Sequence, residues 1–172
     1  MEKIAVDMDG VLADVYEQLF TMDEKDFGKR KTWDDVAGKS ENETFPRIRE
    51  YLYKEGFFRT MKVINGSQPV IEKLNRAYDL YIVSGATEFP LSLSEKQAWL
   101  NEHFPFITWQ QMVFCGSKQI IQADIMIDDH FKNLDFFKGR TSILFTQPHN
   151  AYEDNGPHRR VNNWQEIAEI LL

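Results

Sequence analysis

The chain has 172 residues, which suits one domain with a modest insertion, and 42% of them are hydrophobic, a share typical of globular proteins. Acidic residues outnumber basic residues by 27 to 20, and the net charge of -7 argues against a nucleic acid polymer as the main partner, because proteins that bind such polymers usually carry a basic face. The single cysteine, Cys115, excludes an intrachain disulfide framework.

Five short apolar runs predict β-strands, and helical patterns separate them along the chain. The predicted strands cover residues 3–8, 80–83, 112–114, 125–127 and 142–145. Their near-continuous apolar character is typical of strands that are buried on both faces, as in a parallel sheet.

Helical spacing of apolar residues predicts helices over 67–78, 93–103 and 163–171, with a shorter one over 131–136. Ser67 is the expected N-cap of the first of them. The alternation of strands and helices predicts an α/β fold with a doubly wound, mostly parallel sheet and a Rossmann-like core.

Residues 15–64 depart from this alternation, because they carry two or three helical patterns and no clear strand. A crossover between parallel strands needs only one helix, so the segment is longer than a connection requires. We predict a small helical cap over 15–64, inserted after the first strand. Residues 1–14 and 65–172 would then form the catalytic core.

The amino-terminal residues, MEKIAVDMDG, contain no apolar region typical of a secretory signal. No apolar run approaches the roughly 20 residues that span a bilayer. We therefore expect a soluble cytoplasmic protein without a membrane partner.

Two carboxylates, Asp7 and Asp9, stand at the carboxyl end of the first predicted strand, and Gly10 follows them. Open α/β sheets bind ligands at the carboxyl ends of their strands. Gly10 can adopt backbone angles that other residues avoid. The residues alone favour a functional pair only slightly over an ordinary polar turn.

A second acidic pair, Asp128 and Asp129, follows the predicted strand over 125–127. Neighbouring carboxylates repel one another unless a cation or a proton intervenes, and hard oxygen ligands suit Mg²⁺. The structural alternative is that Asp129 caps the following helix and its neighbour is solvated.

Polar residues also follow the predicted strands over 80–83 and 112–114. Ser84 and Gly85 can offer a hydroxyl and backbone N–H groups to a phosphate oxygen, and Lys118 can neutralise a phosphoryl group as a point charge. Each feature alone is commoner as a simple turn or as a surface lysine.

The order of these groups along the chain is more specific than any one of them. Four strand ends give Asp-x-Asp, then Ser, then Lys, then Asp-Asp, which resembles the four motifs of the haloacid dehalogenase superfamily. The resemblance spans the chain from the first strand to the last.

A narrower resemblance links the run DMDGVLAD at 7–14 to the 5'(3')-deoxyribonucleotidase family. Weaker matches to that family are GFF at 56–58, LFT at 144–146, HN at 149–150 and NW at 163–164. The chain departs from the family at Ser84 and Gly85, where members carry Thr-Ser: Ser84 keeps the hydroxyl, and Gly85 lacks a side-chain contact that would bear on fine substrate preference.

The resemblance implies a role for each matching residue. Asp7 would attack phosphorus, and Asp9 would act as general acid and then as general base. Mg²⁺ would be held by Asp7, the main-chain carbonyl of Asp9 and Asp128. Ser84, Gly85 and Lys118 would bind the phosphate.

The substrate implied is a nucleoside monophosphate, and the aromatic residues of the predicted cap could stack on its base. The candidates are Trp33, Phe57 and Phe58, with Asp129 as a further substrate contact. For Trp33 a role in the core of the cap is equally favoured. Of the four histidines, none has metal-ligand spacing. His130 follows Asp129 and could touch the site, but a surface role at a helix start is favoured.

Three alternatives remain open from the sequence: a phosphatase of the same superfamily that acts on a sugar phosphate, a non-enzymatic nucleotide-binding protein, and a phosphotransferase. The intact set of Asp7, Asp9, Lys118 and Asp128 argues against the second, because binding alone does not need a second acid. The sequence does not fix the oligomeric state, and a homodimer is among the options.

Overall fold

The computed structural model describes all 172 residues, and a sheet of six parallel strands runs through its centre. The strands are β1 (Lys3–Val6), β2 (Asp79–Gly85), β3 (Met112–Cys115), β4 (Ile125–Asp128), β5 (Thr141–Phe145) and β6 (Arg159–Val161). Their order across the sheet is β3-β2-β1-β4-β5-β6, with every neighbouring pair parallel. This order is that of a Rossmann-like, doubly wound sheet, which confirms the predicted fold class.

The order of the strands places a crevice at the carboxyl end of β1. From β1 the chain winds outwards through β2 and β3, and then returns to the opposite side of β1 to add β4, β5 and β6. Loops after β1 and β4 therefore leave the sheet in opposite directions, and ligands of such sheets bind between them.

Both faces of the sheet are buried, which explains why its strands read as apolar runs. Ile4, Ile82 and Ile127 point into a large hydrophobic cluster on one face. Ala5 and Met126 join a smaller cluster on the other.

All five predicted strands are present, and the sixth, β6, was missed. Its sequence is Arg-Arg-Val, of which only Val161 is buried, so a three-residue edge strand leaves no apolar run to read. At the other end of the chain β1 ends at Val6 rather than at Met8. The N–H of Met8 turns to the side chain of Asp7 and leaves the ladder.

Eight α-helices accompany the sheet: α1 (Val15–Phe27), α2 (Trp33–Val36), α3 (Glu41–Thr44), α4 (Ile48–Leu52), α5 (Ser67–Ala77), α6 (Pro90–His103), α7 (Phe131–Leu134) and α8 (Trp164–Leu171). Helix α6 begins three residues before its predicted start, because proline suits the first turn. Gly66, not Ser67, is the N-cap of α5, and the Ser67 hydroxyl donates to the carbonyl of Ile64 instead.

The segment 15–64 carries α1 to α4 and contains no named strand. Its buried residues Leu19, Phe45 and Tyr51 belong to the same hydrophobic cluster as Ile4 of the sheet. Residues 15–64 are thus packed continuously onto the sheet, and their division from the core as a separate cap stays a prediction.

No helix is both long enough and apolar enough to cross a membrane.

Helix α8 fixes the loop that follows β1. The ring of Trp164 is buried, and its Nε1 donates to the carbonyl oxygen of Val11 at 2.8 Å. The carboxyl-terminal helix thereby holds the turn that begins at Asp9.

Replacing Trp164 with Phe removes this donor and leaves a buried carbonyl without its partner. We expect the free energy of unfolding to fall by about 1–3 kcal/mol, which is the cost of an unsatisfied buried polar group. Urea denaturation measures the change. Trp109→Phe is the matched control, because Trp109 is 71% exposed and its replacement should change stability by no more than about 0.5 kcal/mol. Equal effects of the two substitutions would contradict this account.

Candidate active site

The carboxyl ends of β1, β2, β3 and β4 open into one cavity of about 580 Å³. Asp7 follows β1, Gly85 ends β2, Lys118 follows β3, and Asp129 follows β4. The structure thus brings together the groups that the sequence predicted at four separate strand ends.

Lys118 joins two of the carboxylates. Its Nζ lies 2.7 Å from Oδ1 of Asp7 and 2.7 Å from Oδ2 of Asp128. Burial lowers the pKa of Lys118, but the charges of Asp128 and Asp7 outweigh that effect and raise its pKa overall. The lysine is therefore a fixed positive charge between two acids.

A third carboxylate, Asp129, completes the cluster. Oxygens of Asp7, Asp128 and Asp129 lie within 4.8 Å of one another, and all three residues are buried. Burial, and then the negative charge of Asp128, raise the pKa of Asp7 to about 7. Burial, followed by the charge of Asp7, also raises the pKa of Asp129. One lysine does not balance three carboxylates.

This donor set fits a small divalent cation. Hard carboxylate oxygens are the ligands that Mg²⁺ prefers, and Oδ1 of Asp129 is buried without any hydrogen-bond partner. A cation among the three acids would give that oxygen a partner and offset the repulsion.

Asp128, and not Asp129, supports the start of helix α7. Its Oδ1 accepts from the backbone N–H of His130 at 2.9 Å, and Asn133 donates to both of its oxygens at 3.0 Å. Asp129 makes no capping bond and is 2% exposed. The alternative interpretation, with Asp129 as N-cap and a solvated neighbour, is therefore wrong.

Asp9 has its own lysine, which the sequence analysis missed. Lys96 of α6 is 1% exposed, and its Nζ lies 2.6 Å from Oδ2 of Asp9 and 2.9 Å from Oγ of Ser84. The signal was present, because Lys96 falls on the same helical stripe as the buried residues Ser92 and Trp99. A lysine within an inward-facing stripe needs a buried partner.

Gly10 makes room for Asp129. A Cβ at Gly10 would lie 2.3 Å from Oδ2 of Asp129, and the backbone of Gly10 has a φ of 76°. The turn is tight, since the carbonyl of Met8 accepts the N–H groups of Leu12 and Ala13 at 2.8 and 2.9 Å. Glycine is required here by both the backbone angle and the close approach.

Of the three aromatic candidates, only Phe58 lines the cavity, together with Ile48, Leu52 and Phe89. Phe57 packs edge-on against Phe58, with ring centroids 5.0 Å apart. Trp33 is 44% exposed and does not reach the cavity. The structure therefore supports a ligand contact for Phe58 alone.

A group of residues on the opposite wall was not found from the sequence. His130 lines the cavity, and its ring stacks on that of His149 with centroids 4.2 Å apart and an interplanar angle of 12°. Burial, followed by the charge of His149, lowers the pKa of His130 to about 3. Glu41 and Tyr16 complete this wall. The side chain of His130 is 33% exposed and the residue stands at the start of α7, in line with the interpretation from the sequence, but it also lines the cavity.

Comparison with known proteins identifies the relatives of the chain. The family model described as "5' nucleotidase, deoxy (Pyrimidine), cytosolic type C protein" matches residues 1–172. The 5'(3')-deoxyribonucleotidase of Bacillus subtilis is 43% identical over 98% of this chain and 98% of its own length. The 5'(3')-deoxyribonucleotidase of Bacillus phage SPbeta shows the same identity and coverage. These matches confirm the resemblance seen in the motifs.

Solved structures with the same fold come from the haloacid dehalogenase-like hydrolases. A family member from Streptococcus pneumoniae has a TM-score of 0.61 at 14% identity, covering 100% of this chain and 99% of its own. A HAD family hydrolase from Deinococcus radiodurans, solved with bound phosphate and sodium, has a TM-score of 0.62 at 13% identity, covering 99% of this chain and 97% of its own. At these identities the likeness shows the fold alone.

Gly10→Ala tests whether the turn after β1 must admit Asp129. Gly28 is the matched control, because its φ is 73° but nothing lies within 4 Å of a Cβ built there. Gly28→Ala should cost about 1–2 kcal/mol for the left-handed backbone alone. Gly10→Ala should cost clearly more, because it also displaces a buried carboxylate. Urea denaturation of both variants measures the difference, and equal losses would contradict the packing described.

Proposed function

Because the chain belongs to the family described as deoxy, pyrimidine-type, cytosolic 5' nucleotidases and is a hydrolase of phosphoric monoesters, we propose that it is a magnesium-dependent 5'(3')-deoxyribonucleotidase. The observation that carries the proposal is the presence of two separately held acids, Asp7 and Asp9, in one cavity that also has an apolar wall. A binding protein would need neither the second acid nor its lysine.

Asp7 is the nucleophile in this proposal. Its Oδ1 accepts from Nζ of Lys118 and from the N–H of Met8, both at 2.7 Å, so the side chain is held in one orientation. We assign the attack on phosphorus to Oδ2. The attack forms an aspartyl-phosphate and releases the nucleoside oxygen as the leaving group.

Asp9 handles the protons. In the first half of the reaction it gives a proton to the leaving nucleoside oxygen, which departs as the alcohol. In the second half its carboxylate takes a proton from the water that attacks phosphorus. The bond between Asp7 and phosphorus then breaks, and inorganic phosphate leaves. Asp9 is 27% exposed at its side chain, which suits a group that exchanges protons with an incoming ligand.

Charge around the phosphoryl group comes from several sources. Mg²⁺, held by Asp7, Asp128 and the carbonyl of Asp9 with Asp129 beside them, would neutralise the phosphoryl oxygens so that a carboxylate can approach. Lys118 is a permanent positive charge on the same side. The hydroxyl of Ser84 and the backbone at Gly85 bind the remaining oxygens, and Lys96 stands 2.9 Å from that hydroxyl.

The apolar wall suits the nucleoside. Phe58 presents its ring to the cavity beside Ile48, Leu52 and Phe89, a composition that fits a base better than a free sugar. The cavity volume of about 580 Å³ lies in the range of small-molecule sites. The segment 15–64, which supplies Phe58, Ile48 and Leu52, would act as a cap and exclude water during the reaction.

Phosphate release over a panel of substrates tests the proposal. The panel holds deoxynucleoside 5'- and 3'-monophosphates, ribonucleoside monophosphates and sugar phosphates, each with Mg²⁺. We expect the deoxynucleoside monophosphates to give the highest kcat/KM, and Asp7→Asn to abolish release. Asp34→Asn, at an exposed position of α2, is the matched control and should keep full activity. Release from sugar phosphates alone would overturn the assignment and favour a sugar phosphatase.

Asp9→Asn tests the second acid. An amide cannot give up a proton, so turnover of a nucleotide, whose alcohol is a poor leaving group, should fall by about 10²–10⁴-fold. In a phenyl phosphate with an acidic phenol, the leaving group depends less on protonation. The rate of the first half-reaction with this substrate should therefore fall less in the variant. Burst kinetics separate the two halves of the reaction. Intact nucleotide turnover in the variant would remove Asp9 from the mechanism.

A further inference from the structure

We propose that Glu41, His130 and His149 form a second cation site, which is selective for a borderline-soft divalent metal ion such as Zn²⁺. One ligand atom from each residue lies within 4.8 Å of the other two. The three residues come from α3, from the loop after β4, and from the short 3₁₀ turn Pro148–Asn150 after β5. The site is thus built by tertiary structure, and it lies beside the cluster of three aspartates without sharing a proposed ligand with it.

The hydrogen bonds of His149 prepare it as a ligand. Its Nε2 lies 2.9 Å from the carbonyl oxygen of Asp129, which can only accept, so the ring proton is on Nε2. The lone pair is therefore on Nδ1, which lies 3.8 Å from Oε1 of Glu41. A histidine that ligates a metal usually donates its other N–H to a carbonyl or carboxylate in this way.

The other two ligands are free to close on an ion. The ring of His130 makes no hydrogen bond within the protein and is held mainly by stacking on His149, so it can turn about its side-chain bonds. Glu41 is half-buried, and its carboxylate faces His149 with no closer partner. The hydroxyl of Tyr16, 3.2 Å from Nδ1 of His149, is the group that an ion would displace.

The surrounding charge favours a cation. Oδ2 of Asp129 lies 3.7 Å from Nε2 of His149 and 3.9 Å from Nε2 of His130, so a buried carboxylate stands beside the site in addition to the half-buried Glu41. Two imidazoles and a carboxylate suit Zn²⁺ and Co²⁺, whereas Mg²⁺ prefers oxygen ligands. The two clusters of the cavity should therefore select different ions.

An ion at this position would have a mechanical effect. Glu41 belongs to the helical segment 15–64, whereas both histidines belong to the loops of the sheet. Binding would tie the segment to the sheet at the mouth of the cavity.

Cobalt is the probe for this site, because Co²⁺ substitutes for Zn²⁺ and its visible absorption reports nitrogen ligation. The full chain is titrated with Co²⁺ in excess Mg²⁺, so that the aspartate cluster is filled. We expect one Co²⁺ per chain, an absorption band from imidazole ligation, and displacement by Zn²⁺. His130→Ala and Glu41→Gln should each weaken the affinity by more than about tenfold. His103→Ala is the matched control, because His103 also faces a glutamate, at 3.9 Å, but has no third ligand.

Asp7→Asn separates this inference from the proposed function. That variant should lose phosphatase activity and still bind Co²⁺ with unchanged affinity. Failure to bind Co²⁺ in the presence of Mg²⁺ would overturn the second site and leave the nucleotidase proposal intact. Equal affinities of the His130→Ala and His103→Ala variants, with circular dichroism spectra like that of the parent protein, would overturn it as well.

Discussion

Three buried carboxylates lie with a single lysine at the carboxyl ends of the two middle strands, β1 and β4, and the surrounding elements support that arrangement. Asp7, Asp128 and Asp129 approach within 4.8 Å, and Lys118 contacts only the first two. Such a cluster holds together only if further positive charge or hydrogen bonds offset the repulsion and the loss of solvation. The parallel sheet makes the cluster unavoidable, because β1 and β4 are neighbours and end at the same edge.

The rest of the site can be understood as support for this arrangement. Asn133 and the N–H of His130 anchor Asp128, and Gly10 leaves space for Asp129. Trp164 holds the turn after β1 through the carbonyl of Val11. Asp9 is kept apart from the cluster by its own lysine, Lys96. The two acids of the proposed reaction therefore lie against different lysines, Asp7 against Lys118 and Asp9 against Lys96.

Site residues that directly follow a strand could be predicted from the sequence. Site residues that tertiary packing brings to the cavity from elsewhere in the chain could not. Asp7, Ser84, Lys118 and Asp128 follow apolar runs, so their convergence follows from a parallel sheet. Glu41, His130 and His149 meet only after the chain has folded, and their spacing carries no pattern. Lys96 is an intermediate case. Its position on the buried stripe of α6 could be predicted from the helical spacing, but its partner, Asp9, could not. Aromatic composition alone did not distinguish Phe58, which lines the cavity, from Trp33, which does not.

The stability of the protein as a function of Mg²⁺ concentration tests the central claim most directly. The central claim is that the three acids bind one divalent cation in the folded state. Mg²⁺ should then raise the free energy of unfolding, by about 2.7 kcal/mol when its concentration is a hundred times Kd. Urea denaturation at pH 7 across a Mg²⁺ series should show this rise in the parent protein and in Asp34→Asn, and its loss in Asp128→Asn. A parent protein whose stability is unchanged by Mg²⁺, or an Asp128→Asn variant that gains as much as the parent, would contradict the account.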